Sequence, residues 1–229
     1  MSELHDLVNN NLIQGKIFFD KSLENLTWLK VGGKASCLYI PKNKEDLAVF
    51  LKHIDSNVRI SVFGRLSNVL IRDGGISGVT ILIPPSFSEI EIHKNNKITL
   101  GSGLLDKNVS QYAYDNNLGG FEFLSGIPGN IGGAIAMNAG CYGSEIKDIA
   151  DEVLILERDG ELKSYNNEEM NFSYRNSIIK ADQIIIEATF QGRHENKSNI
   201  KEKIDAVISS KEESQPSRVA TGGSTFKNP

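Results

Sequence analysis

Residues 119–145 read GGFEFLSGIPGNIGGAIAMNAGCYGSE and hold eight of the chain's 21 glycines. Glycine this dense costs chain entropy unless the backbone must take positive φ or be approached closely. A flexible low-complexity linker would also be glycine-rich, but it would lack the interleaved Phe, Ile, Leu and Met. The stretch therefore reads as a packed loop whose backbone N–H groups face a ligand, either a phosphate or a flat ring. A buried tight turn between strands is the alternative. Gly126, Gly129, Gly132 and Gly133 do not make G-x-G-x-x-G, and no strand–Gly–helix pattern reads around them, which argues against a Rossmann site. The chain also has no Walker A, H-E-x-x-H or G-x-S-x-G motif.

The bulk numbers narrow the class. A chain of 229 residues, 39% hydrophobic and 24% charged, has ordinary globular composition and room for one large domain or two smaller ones. The formal net charge of −4 and the absence of a Lys/Arg run argue against a nucleic-acid partner. An anionic ligand must then be held by a local site. Cys37 and Cys141 are far apart, form no CxxC and have no His in metal spacing, so a reduced pair is expected and zinc is not. The N-terminus MSELHDLVNN has no basic or apolar region of a signal peptide. No apolar run approaches the roughly 20 residues of a membrane span. The expectation is a soluble cytoplasmic protein, monomeric and without membrane contact.

Hydrophobic spacing places a short helix over residues 3–12, with Leu4, Leu7, Val8 and Leu12 on one face and Ser2 as its cap. A loop follows from Gly15 to Leu29. Ala35 to Ile40 reads as a strand, Glu45 to Ile54 as a helix and Val58 to Phe63 as a strand. Phe63-Gly-Arg-Leu-Ser-Asn-Val-Leu70 is a second candidate site, a turn in which Ser67 and Asn68 offer side-chain donors. Such residues also bond their own backbone, so a plain turn is the alternative. Asp73-Gly-Gly75 reads as a hairpin turn. Val79 to Ile83, Ile90 to His93 and Lys97 to Gly101 read as strands. Asp106 to Asn117 reads as a helix with Asp106 as its cap. Beyond the glycine stretch, Asp151 to Arg158, Glu161 to Tyr165 and Gln183 to Gln191 read as strands, and Lys197 to Ser210 as a helix. Helices and short strands without strict βαβ alternation favour an α+β class.

Four segments together resemble one family, the UDP-N-acetylenolpyruvoylglucosamine reductases. They are Phe63-GRLSNVL-Ile71, the GIPGNIGGAIAMNAGCYGSE block, Tyr174-Arg-Asn-Ser177 and Gly222-GSTFKN-Pro229, in the family's order across nearly the whole chain. The continuation Cys141-Tyr-Gly-Ser-Glu145 resembles the family's shorter branch. The resemblance implies a vanillyl-alcohol-oxidase-type FAD-binding α+β fold, in which two subdomains clasp FAD and a third covers the substrate. It implies an enzyme of peptidoglycan synthesis that uses NADPH to reduce FAD. The flavin in turn reduces the enolpyruvyl group of a UDP-sugar to give UDP-N-acetylmuramate.

By the same resemblance, Gly64, Ser67 and Asn68 in one turn and Gly126, Gly129, Gly132 and Gly133 in the other hold FAD, together with Tyr174 and Arg175. Ala134, Ala136 and Ala139 would let the flavin ring lie close to the chain. Arg175 is the match for the group that grips the substrate carboxylate, because a guanidinium offers two parallel bonds and stays charged. A surface ion pair is its alternative. Ser224 matches the proton donor, Lys227 and Asn228 match substrate-binding positions, and Tyr142 and Glu145 match the block without an assigned role. The expected division is residues 1–57 and 58–192 for the two FAD subdomains and 193–229 for the start of an incomplete substrate domain.

Two departures stand out. Leu66 occupies a position where the family usually has glycine, and because Leu does not easily take positive φ, a negative φ there or a slightly reshaped loop is expected. Cys141 replaces a usual alanine. The family also continues by on the order of a further third, a stretch that carries a catalytic glutamate. A second expectation is accordingly an FAD-binding module without turnover.

Overall fold

The computed structural model describes residues 12–214. The helix expected over residues 3–12 lies outside this range but for Leu12, and so do Ser224, Lys227 and Asn228.

The first sheet has the order β1-β2-β4-β3, with β1 at Lys16–Ser22, β2 at Lys34–Ile40, β3 at Ile60–Phe63 and β4 at Ile76–Leu82. β1 pairs antiparallel with β2, while β2, β4 and β3 run parallel. Parallel neighbours need a crossover, and helix α1, Lys44–His53, supplies it between β2 and β3. Asn43 starts that helix, because its side-chain oxygen accepts from the Asp46 N–H at 2.9 Å. Leu47, Phe50 and Leu51 recur at helical spacing and are buried. The Phe50 ring stacks on Tyr39 of β2 with centroids 3.8 Å apart.

The second unit is built on an antiparallel sheet of order β11-β10-β12-β6-β5. In chain order come β5 (Ile90–Ile92), β6 (Lys97–Gly101), helix α2 (Asp106–Asp115) and the short β7 (Leu118–Gly119). The glycine stretch then folds as a 3-10 turn over Glu122–Gly126, a six-residue helix α3 at Ile131–Ala136 and a small hairpin of β8 (Gly140–Cys141) and β9 (Ser144–Glu145). Strands β10 (Ala150–Leu156), β11 (Leu162–Asn166) and β12 (Ile184–Gln191) complete the sheet. β13 (Arg193–His194) pairs with β7, and helix α4 covers Lys197–Ser214. Ile200, Ile204 and Val207 bury one face of α4. A cluster of Ile98, Leu100, Val109, Phe121, Ile135 and Phe190 forms the core of this unit. Leu156, Ile184 and Ile186 of its sheet instead join Leu47, Phe50 and Ile81 of the first unit, so the two units share an apolar seam.

Several expectations are corrected. The loop drawn from Gly15 to Leu29 contains β1. That strand lies at the sheet edge with no fully buried side chain, so no apolar alternation marks it. The Asp73–Gly75 turn closes tightly, with the Gly75 N–H on the Arg72 carbonyl at 2.9 Å, but it leads into a parallel strand and joins no hairpin. The boundary at 57/58 cuts the first sheet, because β3 and β4 belong to it. Asp106 is the first helical residue of α2, and Leu105 occupies the cap position without a side-chain bond. A helix does follow Gly129 directly, with Asn130 at its N-terminal cap position but making no side-chain cap bond, although the spacing remains unlike a dinucleotide fingerprint.

Candidate functional site

The site begins where β3 ends. The turn from Gly64 to Asn68 leaves the first sheet, and the loop from Gly129 into α3 leaves the second unit. The two meet at Asn130. Its side chain is buried, and its Nδ2 donates to the Ser102 carbonyl at 2.7 Å. Its Oδ1 packs directly on Gly64, so that a Cβ at Gly64 would collide with the amide. A Cβ at Gly132 would likewise lie 2.9 Å from the Ser102 Cβ. A Cβ at Gly129 would lie 3.1 Å from Asp106 Oδ2 and 3.5 Å from Ser67 Oγ. Glycine is needed at these positions for close approach rather than for positive φ.

The meeting of the two loops opens a cleft of about 470 Å³. Gly64, Asn130, Gly132, Gly133 and Ser102 line one part of it. Ile60, Val62, Ile83, Ala136, Ile179 and Ile185 give apolar walls, and Arg59, Lys180 and Gln183 stand at its polar side. The backbone N–H groups of Arg65, Ser67, Asn68 and Gly133 have no partner among the described residues. A polar cradle of free N–H groups beside an apolar slot suits a ligand that joins a phosphate to a flat ring, as FAD does. The contacts that would exclude a side chain at Gly64 and Gly132 fit the same reading. Among the described residues no cluster of His, Cys, Asp and Glu could hold a metal, and no helix is long and apolar enough to cross a membrane.

Leu66 resolves its departure in an unexpected way. It takes φ of +52°, the left-handed region, and its side chain is 5% exposed. It packs with Leu23, Leu38 and Ile71, and its carbonyl accepts from the Trp28 N–H at 3.1 Å. Burial in this cluster holds the residue in a conformation that costs roughly 1–2 kcal/mol for an L-residue.

Arg175 also has positive φ, +56°. Its guanidinium donates to the Asn138 carbonyl at 3.3 Å and the Gly140 carbonyl at 2.7 Å. It lies 5.3 Å over the Tyr174 ring and forms no ion pair with any described residue, which removes the surface-bridge reading. Neighbouring bonds fix the turn that carries it. Asn138 Nδ2 donates to Glu145 Oε2 and the Ser173 carbonyl, each at 3.0 Å, and Ser177 Oγ donates to the Ala136 carbonyl at 2.8 Å. Thus the Tyr174–Ser177 motif and the glycine stretch form one body.

Not every expected residue reaches the cleft. Gly64, Gly132 and Gly133 line it, and Ser67 and Gly129 meet behind them. Gly126 faces away: a Cβ there would meet Val207 at 2.9 Å and Cys141 Sγ at 3.0 Å, and its carbonyl accepts from Lys211 Nζ at 2.9 Å. Asn68 is exposed. Ala134 is buried in the core, whereas Ala136 lines the cleft. The Cys141 thiol donates to the Phe123 carbonyl at 3.1 Å, and burial pushes its pKa up to about 11 against the opposing pull of Lys211 and Arg175. Tyr142, at φ +53°, sits beside it, half exposed. The sequence reading passed over Asn130, whose only signal was being the one polar residue between the paired glycines. It also passed over Ile60, Val62 and Ile185, which look like ordinary strand residues.

The described loops coincide with a family model. Residues 35–166 match the FAD binding domain. Among curated proteins, UDP-N-acetylenolpyruvoylglucosamine reductase of Rickettsia canadensis is 41% identical over 218 residues, covering 95% of this chain and 73% of that protein. The same reductase of Caulobacter sp. is 39% identical over 218 residues, 95% of this chain and 71% of its own length. Among solved structures, UDP-N-acetylenolpyruvylglucosamine reductase (MurB) from Thermus caldophilus aligns with a TM-score of 0.81 at 28% identity, over 95% of this chain and 76% of that one. Berberine bridge enzyme from Eschscholzia californica aligns with a TM-score of 0.59 at 13% identity, over 85% of this chain and 44% of its own, a likeness of fold alone. The chain belongs to the UDP-N-acetylenolpyruvoylglucosamine reductase family and carries its FAD-binding domain.

Proposed function

We propose that the chain reduces the enolpyruvyl group of UDP-N-acetylglucosamine enolpyruvate to UDP-N-acetylmuramate, with FAD held in the cleft and NADPH as reductant, in peptidoglycan synthesis. The observation that carries this reading is the single body formed by the Gly64 turn, the Gly129–Gly133 loop and Arg175. The pyrophosphate would lie at the end of the cleft lined by Gly64, Asn130 and Gly133. There the Gly133 N–H and, in the adjoining turn, those of Arg65, Ser67 and Asn68 have no partner among the described residues, and the apolar walls would take a flat ring. When bound, FAD supplies the hydride that saturates the vinyl group.

The protein's own task is to manage the charge and the proton. Reduction leaves negative charge shared between the reacting carbon and its carboxylate. A fixed cation aimed at that carboxylate stabilises it more in the transition state than in the ground state. Arg175 suits this task because two carbonyls already orient its guanidinium, while its remaining N–H groups have no hydrogen-bond partner among the described residues. Ser224, outside the described residues, is the proposed donor of a proton to the carbon bearing the carboxylate, after hydride has added to the neighbouring vinyl carbon. Lys227 and Asn228 are the proposed contacts to the UDP-sugar. We further propose that the protein acts as a cytoplasmic monomer, with the first FAD unit ending after Leu82.

The test is turnover of the FAD-loaded protein, followed as NADPH oxidation that depends on the enolpyruvyl sugar. Ser224→Ala should keep reduction of the flavin by NADPH and lose product formation. Arg175→Lys should lower kcat by about 100-fold, because a point charge replaces an oriented fork. Normal turnover in either variant removes that residue from the mechanism. Flavin binding without any sugar-dependent NADPH oxidation would instead support a binding module.

A further inference from the structure

Two aspartates are buried among the described residues, and they are treated in opposite ways. Asp46 is 5% exposed, and its carboxylate accepts three donors: the Gln14 N–H at 2.6 Å, the Tyr39 hydroxyl at 2.7 Å and the Lys42 N–H at 2.8 Å. Asp106 is 0% exposed, and neither carboxyl oxygen has a partner among the described residues. Ser110, one helical turn further along α2, has an unpartnered buried hydroxyl as well. A buried carboxylate without donors is expensive, so an acid in this position keeps its proton.

Its location is what gives this a consequence. The Asp106 N–H donates to the Gly129 carbonyl at 3.3 Å, and a Cβ at Gly129 would lie 3.1 Å from Oδ2, with Ser67 Oγ 3.5 Å away on the same side. The carboxyl therefore lies against Gly129, one residue before the Asn130 that joins the two halves of the cradle, with Ser67 of the other half beside it. A ligand pyrophosphate on the front would face an anion across one turn of backbone if Asp106 were ionised. Among the described residues no charge acts on Asp106 enough to offset its burial, although Lys107 follows it on α2 and Arg65 lies in the facing turn. The groups facing Asp106 are Ser67, the Gly129 peptide and Ser110. The charges on the elements packed against α2 are occupied elsewhere. Glu122 of the 3-10 turn and Glu195 pair with Arg193 and Lys203, Lys201 pairs with Asp205, and Lys197 lies over Tyr114. Burial alone sets the upward shift of Asp106. The N-terminus of α2 favours the anion, but by less than full burial disfavours it.

Resting on the reading that this cleft takes FAD, we propose that Asp106 is a positioning residue for the FAD cradle: its neutral form supports the Gly129 turn, and loss of its proton expels the cofactor. FAD binding and retention of this proton are then linked. Affinity is highest below the carboxyl's pKa in the FAD-free protein. It falls by about tenfold per pH unit above that value.

Two measurements on the full chain test this. The first is the FAD dissociation constant of apoprotein, read by flavin fluorescence from about pH 6 to about pH 10, for wild type and Asp106→Asn. Asparagine keeps the shape and cannot ionise. The two proteins should bind equally at the acid end, and the variant should bind at least tenfold tighter at the alkaline end. A ratio of affinities that stays constant with pH overturns the proposal. The second needs no variant to fold. Infrared spectra of FAD-loaded wild type, with and without ¹³C-labelled aspartate, should show a protonated aspartic acid at neutral pH. Its absence overturns the proposal and leaves FAD binding intact. Failure of the wild type to take FAD at any pH overturns both this proposal and the cofactor reading beneath it.

Discussion

The two halves of the cradle are held in place by opposite means. The Gly64–Asn68 turn is anchored by one apolar side chain: Leu66 is buried in left-handed conformation, and the N–H groups around it have no partner among the described residues. The Gly129–Gly133 loop is anchored by polar groups: Asn130 bonds the Ser102 carbonyl, the Ile131 N–H bonds the Leu104 carbonyl at 2.9 Å, and the Gly132 N–H bonds the Ser102 carbonyl at 2.9 Å. The first half stores strain and offers donors. The second spends most of its donors on rigidity and keeps the Gly133 N–H for the cleft. Their contact, the Asn130 amide on Gly64, turns two local structures into one site.

Substitutions at that contact should have the largest effect. Gly64→Ala drives a methyl into the Asn130 amide, and overpacking of about 2–3 kcal/mol would weaken FAD binding by roughly 30- to 150-fold. Gly64 has no positive φ, so the penalty is steric and Asn130→Ala should relieve it. The double variant should bind FAD better than Gly64→Ala alone. Weaker binding in the double variant would mean that the two halves do not meet as described.

Next in size is the strained half. Leu66→Gly relieves roughly 1–2 kcal/mol of backbone strain but opens a cavity worth roughly 2–5 kcal/mol, so the cavity wins. Thermal unfolding should show a net loss of about 1–3 kcal/mol. A rise in Tm would show that strain, rather than burial, dominates this turn. On the polar half, Asn130→Ala alone should cost about 1–2 kcal/mol, because it leaves the buried Ser102 carbonyl with one donor fewer.

The smallest expected effect lies at the back of the glycine stretch. With its pKa near 11, Cys141 is a neutral thiol across the physiological range. Because the thiolate is the nucleophile, alkylation should be slow near neutrality and accelerate by about tenfold per pH unit toward pH 11. A rate that levels off near neutral pH would place a stronger cationic influence beside Cys141 than Lys211 and Arg175 provide.

Much of this site was legible in the sequence because motif residues do unusual things. Dense glycine signals close approach, and Gly64, Gly132 and Gly133 do line the cleft. The α+β class followed from short strands mixed with helices, and most buried strands and helices were found by periodicity. What escaped detection has physical reasons. β1 is an edge strand without a buried stripe, so nothing in Lys16–Ser22 separates it from a loop. Gly126 carries the same motif signal as its neighbours but packs on Val207 of α4, a contact that only tertiary structure creates. Asp106 looks like a helix cap in sequence, and its isolation depends on which side chains fail to reach it. Leu66 reads as incompatible with its turn until the cluster of Leu23, Leu38 and Ile71 is seen to hold it there.

The central claim is that two loops meet through Asn130 and Gly64 to hold one FAD. The most direct measurement is the amount of flavin released on denaturation from purified wild type, Gly64→Ala and Gly64→Ala/Asn130→Ala. The account predicts one FAD per chain in the wild type, almost none in the single variant and a partial return in the double variant. A colourless wild type that takes up no FAD, or a Gly64→Ala protein that keeps a full complement, would contradict it.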